Sequence, residues 1–185
     1  MIRFFDILIS ILVLIVFLPI IFFISFLILL MDGWPIIYKQ SRVGYMGKQF
    51  MILKFRTMSN IVFKDEKLRL MPLGKLLRRT SLDELPQLIN VIKKDMSIVG
   101  PRPLPENIEK KITKKFKIKR RKILPGITGL SQVHYRGKNR KLIDKIKLDL
   151  QLIDNNTTYN YFRILFKTPI VLIIRFFKNK SSIIK

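Results

Sequence analysis

The sequence contains no cysteine, and its only histidine is His134. The lack of cysteine excludes disulfide bonds, thiolate metal sites and a cysteine nucleophile. A single histidine excludes a multi-histidine metal site and leaves only that residue for a Ser-His-Asp triad. Any chemistry must therefore use carboxylates, hydroxyls, lysines or a metal ion held by carboxylates.

Acidic residues are also scarce, with 12 aspartates and glutamates against 36 lysines and arginines in 185 residues, a net charge of +24. Only Arg3 and Asp6 are charged within the first 31 residues, so the positive excess lies in the rest of the chain. A field of this strength attracts anions. Charge alone leaves three partners open: nucleic acid, acidic lipid headgroups and a phosphorylated substrate.

Residues 7–31 form an almost wholly apolar run, interrupted by Ser10, Pro19 and Ser25. As a helix, this run is long enough to cross a hydrocarbon core of about 30 Å. A cleaved signal peptide is the alternative, but the run is longer than the usual apolar region of one, and no small-residue cleavage site follows it. The sequence therefore predicts a membrane anchor at 1–31. The basic residues that follow place a domain at 32–185 in the cytoplasm.

Pro19 lies near the middle of the apolar run, where it removes one helix hydrogen bond and bends the axis. Two topologies remain open: a kinked helix that spans the membrane, and a helix that enters, breaks and returns to the same face. Local physics slightly favours the spanning helix, because a re-entrant break must find partners for its freed backbone groups.

Residues 34–58 are predicted to form a β-hairpin, since apolar runs at 36–38 and 50–56 flank a turn-like segment at 44–48. Strand periodicity places Lys54 and Arg56 on one face and Leu53 and Phe55 on the other. Two cations on one face could bind a phosphate. A solvated polar face is the simpler interpretation of this pattern.

Ser81 and Glu84 have the S-x-x-E spacing of a capping box in front of a helical apolar pattern. Taken alone, this pattern favours a capping role for Glu84. Asp83, in the predicted first turn, would likewise suit the positive end of the helix. A catalytic role for the pair is the alternative.

Three further segments combine cations with rigid or apolar residues. Arg102 lies between Pro101 and Pro103, which indicates either a precisely presented side chain or simply a rigid loop. Residues 110–122 carry nine basic residues, interpreted as a surface that contacts anionic lipid. Residues 159–177 mix cations with aromatic and aliphatic residues, which is typical of an interfacial amphipathic helix.

Six sequence blocks together make the chain resemble the bacterial sugar transferase family of small monotopic phosphoglycosyl transferases. Each block alone is a weak signal, but in this order they cover nearly the whole chain. They are RFFD at 3–6, QSRVG at 40–44, KFRTM at 54–58, LRRTSLDELPQL at 77–88, DMSIVGPRP at 95–103 and PGITG at 125–129.

The resemblance implies an α+β, predominantly helical fold. It comprises an N-terminal re-entrant membrane helix-break-helix with its bend at Pro19, a short β-hairpin and amphipathic interfacial helices. Both ends of the anchor would then lie at the cytoplasmic face of a bacterial inner membrane, and the length suggests the minimal catalytic unit. The chain departs from the family at Tyr161, where a second acidic residue is common.

The resemblance also implies a two-step reaction in which Asp83 attacks a UDP-sugar, releases UMP and passes the sugar phosphate to polyprenol phosphate. Mg²⁺ held by Asp83 or Glu84 would offset the charge of the diphosphate. The residues expected to contact substrate phosphate are Arg78, Arg102 and Arg136, with Lys54 and Arg56 extending that surface. Asp149 matches an acidic family position and is expected to organise an arginine or the nucleotide.

Two other classes compete with this interpretation. A membrane-tethered, basic nucleic-acid-binding protein would explain the charge, but it leaves the Asp-Glu and Pro-Arg-Pro blocks unexplained, so no nucleic acid is expected. A non-catalytic membrane scaffold would release no UMP from any UDP-sugar. The sequence does not identify the sugar.

Overall fold

The computed structural model describes residues 2–59, 69–135 and 140–178. Within these ranges the fold is mostly helical, with one antiparallel hairpin and one short parallel strand pair. The elements are α1 (Ile2–Val16), α2 (Leu18–Asp32), β1 (Ile37–Val43), β2 (Gln49–Phe55), α3 (Pro72–Thr80), α4 (Gln87–Ile92), β3 (Ser97–Val99), α5 (Glu106–Glu109), α6 (Lys114–Arg120), β4 (Gly126–Thr128), α7 (Leu130–Tyr135), α8 (Leu142–Asp154) and α9 (Thr158–Lys178).

Helices α1 and α2 form a pair bent by 63° at Phe17. Pro19 lies in the first turn of α2, where its missing N–H costs no helix hydrogen bond, so the predicted bend is confirmed. Within the described residues, neither helix alone has the length and apolar composition to cross a membrane, whereas the bent pair together does. Large exposed apolar side chains on the pair include Leu12, Ile15, Val16, Leu18, Phe22, Phe23, Phe26 and Leu30.

The start of α1 is bonded to the rest of the protein through Asp6, which is 1% exposed. Its carboxylate accepts hydrogen bonds from Ser97 Oγ (3.0 Å), the Ile98 N–H (2.8 Å) and the Tyr161 hydroxyl (2.8 Å). Burial and this hydrogen bond raise the pKa of Tyr161, which keeps its hydroxyl a donor. An acidic residue at position 161 would instead place a second carboxylate beside Asp6.

The end of α2 is bonded to the residues that follow the hairpin. The buried Arg56 guanidinium donates to the carbonyl oxygens of Asp32 (2.9 Å) and Gly33 (2.7 Å), and it pairs with the Asp32 carboxylate at 3.1 Å. Ser59 Oγ donates to the same carboxylate at 2.6 Å. Both outer ends of the bent pair are therefore held by one body of the protein.

The predicted hairpin is confirmed as β1 and β2, which pair with Tyr38 opposite Lys54. Asn90 on α4 is 1% exposed and completes the outer edge of β2. Its side chain accepts from the Leu53 N–H (3.0 Å) and donates to the Met51 carbonyl (2.9 Å). This amide fixes α4, and the turn that precedes it, against the hairpin.

Strands β3 and β4 pair in parallel, and their close approach depends on Gly100 and Gly126. A Cβ atom on Gly126 would lie 2.0 Å from the Gly100 nitrogen, closer than any real contact. This approach places the loop with Arg102 beside the hairpin. The main hydrophobic core packs around these strands and includes Phe50, Ile52, Val91, Met96, Ile98, Val99, Leu152, Tyr161 and Ile164.

The predominantly helical α+β architecture is confirmed. The basic segment at 110–122 differs in part from its interpretation as a lipid-contacting surface. Arg120 is buried, Arg121 pairs with Glu109 at 2.9 Å, and Lys119 pairs with Asp154 at 2.6 Å. These cations serve internal contacts, whereas lipid contact by the exposed lysines of the segment stays a prediction, as does the division at 31/32.

Candidate active site

Asp83 and Glu84 lie on a single 3₁₀ turn, Leu82–Glu84, and the predicted capping box is wrong. A capping serine needs extended backbone and a side chain that accepts from the helix. Ser81 instead has left-handed backbone (φ 64°, ψ 18°), and its side chain makes no capping hydrogen bond to that turn. Helix α4 begins only at Gln87. The left-handed residue ends α3 and turns the chain so that the acidic pair follows at once.

The acidic pair is buried, with Asp83 7% and Glu84 9% exposed. Buried carboxylates need compensating charge, and Lys54 supplies it from the hairpin. Its Nζ lies 2.7 Å from Glu84 Oε1 and 3.9 Å from Asp83 Oδ2. One lysine therefore contacts both acids, and it is closer to Glu84.

Burial raises the pKa of Asp83 to about 6, and the negative charge of Glu84 adds to the effect. The cations of Lys54, Arg78 and Arg102 oppose this rise. Catalytic carboxyl groups often lie in a cavity and titrate near neutral pH.

Arg78 and Arg102 approach the pair from two different elements. Arg102 Nη2 lies 3.4 Å from Glu84 Oε1, and its side chain is 47% exposed. Arg78 Nε donates to Thr57 Oγ1 at 2.8 Å, which is the one hydrogen bond of its side chain among the described residues. Both side chains line the same cavity as Asp83. Both therefore retain donors for a bound anion.

Asp149 does not line the cavity, yet it supports two groups that do. Its carboxylate accepts from Ser131 Oγ at 2.7 Å and pairs with Arg120 at 3.0 Å. Arg120 Nη2 in turn donates to the Arg102 carbonyl at 2.7 Å. The arginine paired with Asp149 is Arg120, which the sequence did not single out, and a role of Asp149 in binding the substrate stays a prediction.

The remaining predicted residues are placed differently. Arg56 lines the cavity, but the contacts of its guanidinium are to the end of α2, so phosphate binding by Arg56 stays a prediction. Arg136 lies outside the described residues. Pro19 lies at the bend between α1 and α2 and does not line the cavity.

The cavity around Asp83 has a volume of about 830 Å³. The described residues that line it include seven basic and two acidic side chains. Strand β1 contributes three lining residues that sequence reasoning assigned no role: Tyr38, Gln40 and Arg42. Their i, i+2 spacing, with Tyr38 opposite Lys54, was the available signal. Ser131, Gln132, Tyr135 and Lys145 line the cavity from α7 and α8 without such a signal.

The positive charges of the cavity repel one another. Burial and the nearby Arg102 cation lower the pKa of Arg42. A bound anion between these guanidinium groups would relieve that repulsion. The electrostatics therefore fit a negatively charged ligand bound beside the Asp83 carboxyl.

The two carboxylates of the cavity also fit a Mg²⁺ ion that is bound together with substrate phosphates. Among the described residues no three histidine, cysteine, aspartate or glutamate side chains lie close enough to enclose a metal ion. Two adjacent carboxylates remain, and Mg²⁺ is commonly held by one or two carboxylates together with substrate phosphates and water. Asp83 and Glu84 thus suit an ion that arrives with a diphosphate.

Comparison with known proteins gives consistent matches. The model of the bacterial sugar transferase family matches residues 1–175. An uncharacterized sugar transferase, EpsL of Bacillus subtilis, is 42% identical over 131 residues, which is 66% of this chain and 62% of EpsL.

Two of the relatives that are named for a transfer to undecaprenyl phosphate match almost the whole chain. The UDP-glucose:undecaprenyl-phosphate glucose-1-phosphate transferase of Klebsiella pneumoniae is 36% identical over 96% of this chain. The undecaprenyl-phosphate galactose phosphotransferase of Salmonella typhimurium is 39% identical over 94% of it. In both cases the chain spans 40% of the relative's length.

Proposed function

The chain belongs to the bacterial sugar transferase family, and from this premise we propose that it transfers a sugar phosphate from a UDP-sugar to polyprenol phosphate, releasing UMP. The observation that carries the proposal is the buried Asp83-Glu84 pair on the wall of a cavity rich in lysine and arginine. Two relatives named for transfer to undecaprenyl phosphate support the choice of substrates.

The first step is attack by the Asp83 carboxylate on the phosphorus that carries the sugar. A P–O bond to Asp83 forms, the P–O bond of the diphosphate linkage breaks, and UMP leaves with that electron pair. Lys54, Arg78 and Arg102 offset the charge that accumulates during the attack. Lys54 also holds Glu84 and thereby keeps the pair in place.

In the second step, polyprenol phosphate is the nucleophile and Asp83 is the leaving group. A phosphate oxygen of the polyprenol phosphate attacks the phosphorus bound to Asp83, and the bond to Asp83 breaks. The product is a polyprenyl diphosphosugar, and Asp83 is restored as a carboxylate. In both steps a negatively charged nucleophile approaches a negatively charged phosphate, so the same arginines serve both steps.

Asp83 and Glu84 would hold Mg²⁺ together with the diphosphate. A bound Mg²⁺ ion neutralises phosphate charge and stabilises the departing UMP. Lys54 already contacts Glu84 Oε1 at 2.7 Å, so ion binding and the lysine contact share one carboxylate.

The bent pair is a re-entrant anchor at the cytoplasmic face of the bacterial inner membrane. Asp6 and Asp32, near its two outer ends, are both bonded to the same catalytic body, so both ends lie on one side of the bilayer. The exposed apolar side chains around the bend are the surface that would enter the lipid.

The transfer reaction is tested by incubating the full chain with Mg²⁺, polyprenol phosphate and a panel of UDP-sugars, and measuring UMP. Without polyprenol phosphate, intact mass spectrometry should detect the chain with one added sugar phosphate. Asp83→Asn should abolish both signals, whereas Asp144→Asn, outside the cavity, should retain them. UMP release that survives in Asp83→Asn would disprove the covalent step.

The topology is tested separately in cells or sealed vesicles. The chain has no cysteine, so single cysteines at position 2 and at the exposed Lys39, beyond α2, can be labelled with a membrane-impermeant reagent. Both should be labelled only from the cytoplasmic side. Labelling from opposite sides would show a spanning helix.

A further inference from the structure

A second cavity, of about 390 Å³, lies between α7, α8 and α9, apart from the one that contains Asp83. Four of its lining residues are aliphatic: Leu130, Val133, Leu152 and Ile164. The other six are polar or basic: His134, Gln151, Asn155, Asn160, Arg163 and Lys167. No acidic side chain is among the described residues that line it.

Arg163 and Lys167 set the charge of this cavity. They lie one turn apart on α9, both exposed, and within the described part of the chain neither makes an ion pair or a side-chain hydrogen bond. Several other cations of the domain do have acidic partners, as Lys119 has Asp154 and Arg121 has Glu109. Two adjacent cations without a counter-charge fit one anionic group.

The cavity adjoins an apolar stripe on α9. Phe166, Ile170, Ile173 and Phe177 are exposed along one side of this helix. At 3.6 residues per turn, Arg163 and Lys167 lie along the edge of that stripe, between it and the buried Ile164. The fitting ligand therefore has an anionic head for the cations and an apolar tail for the stripe.

Helix α7 separates this cavity from the catalytic one. Ser131, Gln132 and Tyr135 line the cavity of Asp83, whereas Leu130 and Val133 line the second cavity. A ligand in the second cavity would thus press on the reverse side of a catalytic wall.

We propose that the second cavity binds the headgroup phosphate of an anionic phospholipid of the bilayer, and that the bound lipid holds α7 in its catalytic position. The lipid site rests on the membrane residence proposed above, and its coupling to α7 rests in addition on the proposed transfer reaction. Through this bound lipid, the membrane would activate the domain as well as anchor it.

The test uses the full chain in nanodiscs of phosphatidylcholine, with or without one-fifth phosphatidylglycerol, and native mass spectrometry to count retained lipids. The double variant Arg163→Gln, Lys167→Gln should retain about thirty-fold less phosphatidylglycerol, because each cation changes binding to an anionic surface about five-fold. The matched control Lys39→Gln, Lys48→Gln removes two exposed cations of the hairpin and should retain it like the unmodified chain. Circular dichroism verifies that each variant folds.

Equal retention in the two double variants would overturn the site, whether both lose the lipid or both keep it. Inorganic phosphate that displaces phosphatidylglycerol at equal concentration would overturn the assignment to a lipid.

The coupling through α7 is tested by UMP release. Phosphatidylglycerol should stimulate the unmodified chain and the control but not the cavity variant. No stimulation of an active chain would overturn the coupling. A chain that retains the lipid selectively yet releases no UMP would refute the transfer reaction and leave the lipid site supported.

Discussion

As the proposed nucleophile, the Asp83 carboxyl must be ionised, whereas burial favours its neutral form. Lys54 favours the ionised form, since its Nζ lies 3.9 Å from Asp83 Oδ2 and 2.7 Å from Glu84 Oε1. The remaining pKa of about 6 leaves the group mostly ionised at neutral pH. Asp83 therefore titrates close to neutral pH.

The first prediction concerns the pH dependence of UMP release. Below about pH 6, kcat/KM should fall about tenfold per pH unit as Asp83 takes up a proton. Lys54→Met should move this acidic limb to higher pH, because the lysine cation lowers the pKa of Asp83. Lys39→Met, on the exposed face of β1, is the control and should leave the limb in place. A profile unchanged in Lys54→Met would contradict the role of the lysine.

The second prediction concerns stability. The pKa of Asp83 is about 6 in the folded protein against an ordinary value of 3.8, so between these values the folded state holds a proton that the unfolded chain has lost. Stability therefore falls as pH rises through this window and stays lower above it. At neutral pH, Asp83→Asn should raise the free energy of unfolding by on the order of 1–3 kcal/mol. Thermal denaturation in detergent should show the difference vanishing near about pH 4.

At the scale of elements, α3 carries Arg78 to the cavity and depends on Gly74 for its position. A Cβ atom on Gly74 would lie 2.1 Å from the Thr57 carbonyl oxygen, and Thr57 also accepts the Arg78 hydrogen bond. The helix thus touches the backbone beyond β2 at a point where any side chain would separate them.

The third prediction follows from this contact. Gly74→Ala should lower Tm and reduce UMP release, because α3 must shift and take Arg78 with it; overpacking of this kind costs about 1–3 kcal/mol. Lys75→Ala, one residue further along the exposed side of the helix, should change neither value greatly. A Gly74→Ala variant as stable and active as the parent would contradict the packing described for α3.

Sequence reasoning predicted elements whose signals are local. Alternation found the hairpin, and Pro19 marked the bend. The contribution of Asn90 to the edge of β2 was missed, because apolar periodicity does not reveal a buried amide. Arg120 was missed for another reason: it lies in a basic run, and its partner Asp149 is brought to it only by the packing of α6 on α8.

Within the site, the acidic pair shows the same difference between what local sequence patterns predict and what packing determines. Its residues were found by resemblance, whereas the local S-x-x-E pattern gave the wrong backbone. Only the structure places Ser81 in left-handed conformation and brings Lys54 from the hairpin to the turn.

At the scale of the whole molecule, Asp6 joins α1 to the domain that contains the candidate site. Its carboxylate satisfies Ser97, Ile98 and Tyr161 in a buried setting. The hydroxyl of Ser10, on the same helix, is buried but has no partner among the described residues.

The fourth prediction contrasts these two residues. Asp6→Ala should lower the free energy of unfolding by on the order of 3 kcal/mol or more, because three buried donors lose their acceptor. Hydrogen exchange at Ile98 should rise accordingly. Ser10→Ala should be neutral or slightly stabilising, since it removes a buried hydroxyl that lacks a partner. Equal stability of the two variants would show that the Asp6 contacts contribute no net stabilisation.

The 63° bend also has a consequence for the area balance of the bilayer. Each arm has 15 residues and is about 22 Å long, so two arms whose ends lie at the surface carry the bend only about 12 Å deep. That is less than half of a hydrocarbon core of about 30 Å. An anchor of the proposed topology would add cross-section to the cytoplasmic leaflet and none to the opposite one. It would act as a one-sided wedge, which favours membrane regions where the cytoplasmic leaflet is the convex one.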